Sequence, residues 1–198
     1  MGTDKALIRL DPTGPTLLER VLERVVAVSE ERVIIATNRP AYAAFGVAVE
    51  PDHYPGAAAL GGIATALEVA AGKPCLVVAC DLPFLEPVLL QHLCALSADA
   101  DVVVPAVRGE SRQGGGMILQ TLHAVYGLAC LPAITAQIAR GERQIVRFFK
   151  EVGVTTVSEE TVRQFDPELW TLFNVNTPEA LARAKAHARS ETARSSMP

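Results

Sequence analysis

Short apolar runs alternate with segments of helical periodicity along most of the chain, and this alternation constrains the fold more than any other feature. The run CLVVAC at 75–80 is the strongest predicted strand, and RVIIAT at 32–37 and DVVVP at 101–105 are similar runs. In TLLERVLERVVAV at 16–28, the apolar residues recur instead at the spacing of an amphipathic helix. Such alternation is typical of a mainly parallel sheet with helices on both faces. We therefore expect a three-layer α/β fold.

Weaker periodic segments continue this order to the end of the chain. The glycine-rich stretch RGESRQGGG at 108–116 is predicted to be a loop. The length of 198 residues suits one domain, which we expect to span 1–188, with a disordered polar tail at 189–198. Further helices are predicted at 40–45, 60–71, 87–96, 131–140, 144–150 and 177–189, and further extended segments at 47–50, 118–126 and 153–157.

Composition and charge exclude several classes of protein. Hydrophobic residues make up 49% of the chain and charged residues 20%, which excludes disorder of the bulk. The net charge of −4, without a basic stripe, argues against a nucleic acid polymer as a partner. The chain has four cysteines without a CxxC pair, and it shows no signal peptide. Both features predict a reduced, cytoplasmic protein.

The uncharged stretch at 113–139 is long enough to cross a bilayer, but it contains Gly114–Gly116 and Pro132 among several polar residues. Because spanning helices need about 20 mostly apolar residues, we expect no membrane segment.

The four histidines do not cluster with cysteines at metal-binding spacings, so zinc is not expected. The chain also lacks GxSxG, HExxH and GxGxxG motifs. A hydrolase triad, a zincin and a dinucleotide fold therefore have no support.

Polar residues at strand ends are the first candidates for a site, because ligands of parallel sheets bind at the carboxyl ends of the strands. Asp81 follows CLVVAC directly, where it could hold Mg²⁺ against a substrate phosphate or serve as a turn or N-cap residue before Pro83. Asp52 follows the short run VAVE, and it too could be a turn residue. Asn38 ends the run at 32–37.

Three other features favour an anionic ligand, each with a plain structural alternative. The small-residue loop PGAAALGG at 55–62 precedes a helix and would let the backbone approach an anion, or it could simply be flexible. Lys5 could hold a phosphate or be an ordinary solvated lysine. Asn174 and Asn176 lie on one side of an extended segment, where they could bind a polar heterocycle or belong to a turn before a helix cap.

Several short motifs together resemble the molybdenum cofactor guanylyltransferase family, also called molybdopterin-guanine dinucleotide biosynthesis protein A. They occur in the order and at the spacing of the family and cover nearly the whole chain. CDLPF is shared with other nucleotidyltransferases, whereas DKAL together with FNVNTP is more discriminating. The matching pieces are MGTDKAL at 1–7, PD at 51–52, the PG…LGGI loop at 55–63, CDLPFL at 80–85, LHAVY at 122–126, GER at 141–143 and FNVNTPE at 173–179.

The resemblance implies a Rossmann-like nucleotidyltransferase fold and a Mg²⁺-dependent reaction. In that reaction GTP and molybdenum-molybdopterin give the guanine dinucleotide cofactor and pyrophosphate. By position, Lys5 and Asp81 match catalytic, nucleotide-binding residues, and Asp81 also matches the magnesium ligand. Asp52 and the loop residues Leu60–Gly62 are expected to bind the nucleotide, and Asn174 and Asn176 the pterin substrate. Molybdoenzyme maturation proteins are further expected partners.

The sequence departs from the family pattern at its beginning. Family members start with an apolar strand and a glycine-rich loop of the type LAGGxSxRMGxDK, and this chain starts at the Met of that motif. The resemblance therefore implies a sheet without its first strand, through a misplaced start or truncation, or else in a degenerate paralogue. SRQGGGMILQ at 111–120 is longer and richer in glycine than the corresponding segment of the family, and Ala36 stands where some members carry Asn.

Two alternative functions remain open from the sequence. The chain could be a related nucleotidyltransferase, or it could be a non-catalytic cofactor-binding protein.

Overall fold

Helices and strands alternate along much of the chain, as the apolar pattern predicts, except for three consecutive strands within 102–126. A computed structural model describes residues 4–29, 31–37, 39–111 and 114–195. The helices are α1 (Leu17–Val25), α2 (Ala59–Val69), α3 (Pro87–Leu96), α4 (Cys130–Ala139), α5 (Glu159–Phe165) and α6 (Pro178–Ser195). The strands are β1 (Val33–Ile35), β2 (Ala48–Glu50), β3 (Cys75–Val78), β4 (Val102–Ser111), β5 (Gly114–Leu119), β6 (His123–Tyr126) and β7 (Val154–Ser158). Turns of 3₁₀ helix lie at Lys5–Leu7, Arg39–Phe45, Ile145–Glu151 and Trp170–Leu172.

The start of α1 shows how local sequence sets an element boundary. The Thr16 hydroxyl accepts a hydrogen bond from the Glu19 amide at 3.2 Å, and the Glu19 carboxylate accepts one from the Thr16 amide at 2.6 Å. This reciprocal pair is a capping box, which satisfies two amides that would otherwise lack partners in the first turn. The helix therefore begins just after the residue that the sequence marks as its start.

The strands form two sheets, and the larger one is mixed rather than mainly parallel. β1 and β2 pair in parallel, whereas the larger sheet has the order β3-β6-β4-β5, with β7 added beside β4. β4 pairs in parallel with β7 but antiparallel with β5 and β6. The direction changes because the chain turns back after β4 as a hairpin instead of crossing over through a helix.

That hairpin corrects the prediction of a loop at 108–116. The described part of this stretch is extended: β4 continues to Ser111, and β5 pairs with it from Gly114 onward. Gly109 permits the pairing, because a Cβ at this position would collide with the Ile118 side chain. Gly109, which favours a loop in the sequence, therefore acts here by allowing close contact between strands.

Apolar side chains cover both faces of the larger sheet, so the expected three layers are present. On one face, α2 and α4 pack against the sheet through Leu60, Leu67 and Ile134. On the other face, α3 and α5 pack through Leu93 and Val162. The sequence analysis did not predict α5, a short helix that begins after the N-cap residue Ser158.

The last helix extends further than expected. α6 continues to Ser195, where a disordered tail from 189 was predicted, and residues 196–198 lie outside the described part. Its inner face packs through Ala184 and Ala188 into an apolar cluster with Phe84 and Val175. The helix continues because its last turns are rich in residues with adequate helix propensity, such as alanine and arginine.

A large cavity separates the two sheets. Within the described residues, β1 pairs only with β2 and β3 pairs only with β6, so each strand has one edge without a partner strand. The cavity, of about 790 Å³, is lined by residues of both strands and of helices α1 and α2. None of the described helices is both long and apolar enough to cross a membrane.

Candidate functional site

Lys5, Asp81 and Asn176 come together from three distant parts of the chain. The Lys5 ammonium group donates a hydrogen bond to Asn176 Oδ1 at 2.6 Å, and it lies 4.0 Å from the Asp81 carboxylate. Asp81 follows β3, and Asn176 precedes α6. Three residues singled out from separate sequence motifs therefore form one polar cluster, which we call the Lys5 cluster.

Backbone contacts hold each member of the Lys5 cluster in place. Val175 is fully buried, and its amide donates to the Asp81 carbonyl at 2.9 Å, which fixes the segment at 174–176 beside the end of β3. Asn174 and Asn176 flank this anchor, and both are exposed. Lys5 begins a 3₁₀ turn whose N-cap is Asp4, and the buried side chain of Ala6 anchors that turn. The packed backbone segments thus fix the positions of the side chains in the cluster.

The Lys5 cluster offers both signs of charge to a ligand. The Asp81 side chain is 15% exposed and the Lys5 side chain 38%. An ammonium group has three donors, so Lys5 can keep its bond to Asn176 and still bind an anionic oxygen. The Asp81 carboxylate makes no hydrogen bond with the described side chains, so its oxygens are available to a cation.

Asp4 adds a second carboxylate at the edge of this cluster. Its Oδ1 accepts from the Ala6 amide at 3.1 Å, and its Oδ2 accepts from the Tyr42 hydroxyl at 2.7 Å. Burial raises the pKa of the Cys80 thiol to about 11, and the charges of Asp81 and Asp4 add to that shift. Neither Asp4 nor Tyr42 was predicted from the sequence to belong to the site.

Asp52 lies in a second part of the site, on a cavity of about 430 Å³. Asp52 Oδ1 accepts from the Tyr54 amide at 2.9 Å and lies 3.4 Å from the Thr65 hydroxyl, so one oxygen stabilises the turn after β2. Asp52 can therefore stabilise the turn and belong to the ligand site at the same time. Tyr42 lines the same cavity and connects it, through Asp4, to the Lys5 cluster. We call this cavity the Asp52 cavity.

The beginning of α2 forms one wall of the Asp52 cavity. The N-cap residue is Ala58, with φ 54° and ψ −144°, and no side chain caps the helix. A residue with a Cβ is strained in this conformation, and such strain is found at ligand-binding positions. Ala58, Ala59 and Gly62 line the cavity, and no side chain caps the first amides of α2, which suits an anionic ligand.

The three loop residues predicted to bind nucleotide differ in their surroundings. Gly62 lines the Asp52 cavity. Gly61 is buried instead, and a Cβ there would come within 2.8 Å of the Tyr54 carbonyl and 2.9 Å of Asp52 Oδ1. The Leu60 side chain is fully buried in the main core, so only its backbone can face a ligand. The helix begins before these residues, at Ala59, and not at the glycines.

The residues present suit a magnesium ion that is shared with substrate phosphates better than a metal ion that is held by protein side chains alone. Among the described residues, no three His, Cys, Asp or Glu side chains are close enough to hold a metal ion together. Mg²⁺, however, usually takes one or two carboxylates and completes its shell with water and substrate phosphates. Asp81, whose carboxylate follows β3 and has only the Lys5 ammonium group near it at 4.0 Å among the described charged groups, provides a ligand of this type.

The α/β fold and the polar groups at its strand ends are those of a nucleotidyltransferase. Residues 1–158 match the MobA-like NTP transferase domain, and the chain belongs to this family. The family resemblance and the nucleotidyltransferase class predicted from the motifs are thereby confirmed.

Similar proteins come from bacteria and archaea. A probable molybdenum cofactor guanylyltransferase of Pelotomaculum thermopropionicum is 35% identical over 190 residues, which cover 96% of this chain and 88% of the relative. A molybdenum cofactor guanylyltransferase of Desulfosudis oleivorans is 32% identical over 186 residues, covering 93% and 87%.

Solved structures share the fold. Molybdopterin-guanine dinucleotide biosynthesis protein A from Archaeoglobus fulgidus superposes with a TM-score of 0.78 at 27% identity, covering 96% of this chain and 92% of that one. A 2-C-methyl-D-erythritol 4-phosphate cytidylyltransferase from Thermus thermophilus has a TM-score of 0.69 at 19% identity, covering 93% and 94%. The second likeness concerns the fold alone.

Proposed function

We propose that the chain transfers GMP from GTP to molybdenum-molybdopterin, forming the guanine dinucleotide cofactor and pyrophosphate. The single observation that carries this proposal is the Lys5 cluster, in which a cation, a carboxylate and an amide meet at a strand end close to the Asp52 cavity. The names of the relatives support GTP and molybdopterin as the substrates.

The proposed reaction is a direct displacement at phosphorus. A terminal phosphate oxygen of molybdopterin attacks the α-phosphorus of GTP, a new P–O bond forms, and the bond to pyrophosphate breaks. No protein nucleophile is needed, so the chain must align two anions and offset the charge that develops. Lys5 would do this by donating to a phosphate oxygen while Asn176 holds its ammonium group in position.

Asp81 would hold Mg²⁺ together with oxygens of the substrate phosphates. When bound, the ion would neutralise phosphate charge and favour pyrophosphate as a leaving group. Asp52, Gly62 and the first amides of α2 would bind the nucleotide in the Asp52 cavity. Asn174 and Asn176 would then face the pterin substrate. We further propose that the reaction takes place in the cytoplasm and that maturation proteins receive the product.

The experiment that tests the function measures Mg²⁺-dependent pyrophosphate release from GTP with molybdopterin as acceptor. We expect the Asp81→Asn variant to lose activity about 100-fold or more, as for other groups that offset charge in a transition state. Its thermal unfolding should match that of the unmodified chain. Asp99→Asn, which changes an exposed acidic residue near the end of α3, is the matched control and should keep full activity.

Competition by CTP and ATP tests the choice of nucleotide in the same assay. We expect GTP to be preferred over both. Preference for another nucleotide would replace the proposed reaction with that of a related nucleotidyltransferase. A folded chain that binds no nucleotide at all would support the non-catalytic alternative.

A further inference from the structure

One face of α2 lies against the segment at 52–54, which follows β2. Gly61, Thr65 and Glu68 are spaced four and three residues apart, so their positions share one side of the helix. Each of these three residues contacts the segment at 52–54, and each does so in a different way. The segment that carries Asp52 is therefore docked on the helix along its whole length.

The two ends of this helix face hold the segment through a close approach and through a carboxylate. At Gly61, a Cβ would come within 2.8 Å of the Tyr54 carbonyl and 2.9 Å of Asp52 Oδ1, so only glycine lets them lie so near. At the other end, the Glu68 carboxylate lies 2.6 Å from His53 Nδ1 and accepts a hydrogen bond from the Tyr54 hydroxyl. Because Glu68 has two such contacts, either one can be lost while the other remains.

Thr65 lies between these two ends, and its hydroxyl reaches Asp52. The Thr65 side chain is fully buried, and its hydroxyl oxygen accepts from the His53 amide at 3.0 Å. Among the described residues, the only acceptor for the hydroxyl hydrogen is Asp52 Oδ1, at 3.4 Å. A hydroxyl group can donate and accept at the same time, so Thr65 holds the backbone and the carboxylate of the segment together.

The protein contacts of Asp52 all fall on one of its two oxygens. Oδ1 accepts from the Tyr54 amide at 2.9 Å and contacts Thr65, whereas Oδ2 makes no hydrogen bond with the described residues. Because the two oxygens belong to one planar group, holding Oδ1 also sets the direction of Oδ2. A carboxylate that is already oriented loses less conformational freedom when it binds a ligand.

We infer that Thr65 is a positioning residue for nucleotide binding, whose hydroxyl holds Asp52 Oδ1 and thereby leaves Oδ2 to accept a hydrogen bond from the ligand in the Asp52 cavity. This inference rests on the proposed function, because it takes the nucleotide as the ligand of that cavity. Asp52 lines the Asp52 cavity, whereas the buried Thr65 is not among the lining residues. Thr65 therefore acts through Asp52 and does not touch the nucleotide.

The test compares Thr65→Val with Thr65→Ser by calorimetric titration with GTP and Mg²⁺. Valine keeps the shape of the side chain and removes the hydroxyl, whereas serine keeps the hydroxyl. We expect Thr65→Val to weaken GTP binding about tenfold, and Thr65→Ser to bind within about twofold of the unmodified chain. Thr135→Val makes the same exchange on α4, where the hydroxyl donates only to carbonyls of its own helix, and this matched control should leave the affinity unchanged.

A double-mutant cycle separates positioning of Asp52 from a general effect on the structure. In a chain that already carries Asp52→Ala, the oxygen that Thr65 holds is absent, so Thr65→Val should change GTP affinity by no more than about twofold. Equal losses in the two backgrounds would overturn the inference, and so would a serine variant as weak as the valine variant. If Thr65→Val does not fold, Thr65→Ala takes its place in the cycle.

The unmodified chain distinguishes failure of this inference from failure of the proposed function. If it binds GTP and Thr65→Val binds equally well, Thr65 has no positioning role and the proposed function stands. If the folded, unmodified chain binds no GTP, the proposed function is wrong, and the role of Thr65 is wrong with it.

Discussion

At the scale of single residues, the Tyr42 hydroxyl links the Asp52 cavity to the Lys5 cluster. It donates to Asp4, whose other oxygen caps the turn that carries Lys5. Burial and the neighbouring Asp4 carboxylate raise the pKa of Tyr42, so the phenol stays protonated and keeps donating at neutral pH. Asp4 is recognisable from the sequence as a helix N-cap residue, whereas nothing in the local sequence marks Tyr42 as its partner.

Removing this hydroxyl should weaken nucleotide binding. Since a hydrogen bond to a charged group contributes about 1.5–3 kcal/mol, we expect Tyr42→Phe to lower GTP affinity about tenfold through a less ordered Lys5. Calorimetric titration with GTP and Mg²⁺ measures this. Tyr54→Phe removes a comparable phenol–carboxylate bond, to Glu68, and is the matched control. Equal losses in the two variants would contradict a special role for Tyr42.

His123 makes stability depend on pH. Its side chain is 1% exposed, and burial lowers its pKa to about 4, while the Thr171 backbone opposes the shift. Between pH 6.5 and 4 the unfolded chain binds a proton that the folded chain does not, so stability falls as the pH falls. We expect a loss of about 3 kcal/mol across this window. Urea unfolding at several pH values measures the loss.

The His123→Gln variant serves as the control for that series, because its side chain does not titrate. It should remove most of the pH dependence between 6.5 and 4. If this variant does not fold, an NMR titration of the imidazole in the unmodified chain gives the same information. An imidazole that titrates near pH 6.5 would contradict the prediction.

At the scale of secondary structure elements, the apolar pattern predicted the order of helices and strands well. The bounds of α3 agree with the prediction at both ends, because Pro87 marks the first turn and local signals suffice there. The hairpin of β4 and β5 was missed because its extension depends on contact between two strands. No residue within 108–116 reveals that Gly109 lies beneath Ile118.

The strained start of α2 leads to a prediction about stability. Ala58 has φ 54°, a conformation that glycine adopts without steric cost. We expect Ala58→Gly to raise the free energy of unfolding by about 1 kcal/mol, after allowing for the greater freedom of glycine in the unfolded chain. Denaturant unfolding measures this. Ala95→Gly, in the interior of α3, should instead lower stability by about 1 kcal/mol. A decrease in both variants would show that Ala58 is not strained.

At the scale of the whole molecule, the two sheets should differ in local stability. β1 and β2 pair only with each other among the described residues, whereas β4 has strands on both sides. Local opening needs less free energy where fewer partners must separate. We expect the amides of Val33–Ile35 to exchange faster than those of Val102–Val104, as measured by hydrogen exchange at neutral pH. Similar protection of the two strands would contradict this prediction.

The sequence by itself determined the α/β class, the family and the residue types of the site, because these depend on local periodicity and on short motifs. Only the tertiary structure decided which motif residues meet. Lys5 and Asn176 lie far apart in the chain, and they touch because Val175 is buried beside the end of β3. The mixed sheet and the cavity between β1 and β3 were likewise decided by pairing between distant strands. The energy of such pairing belongs to contacts between segments and leaves no mark on either segment alone.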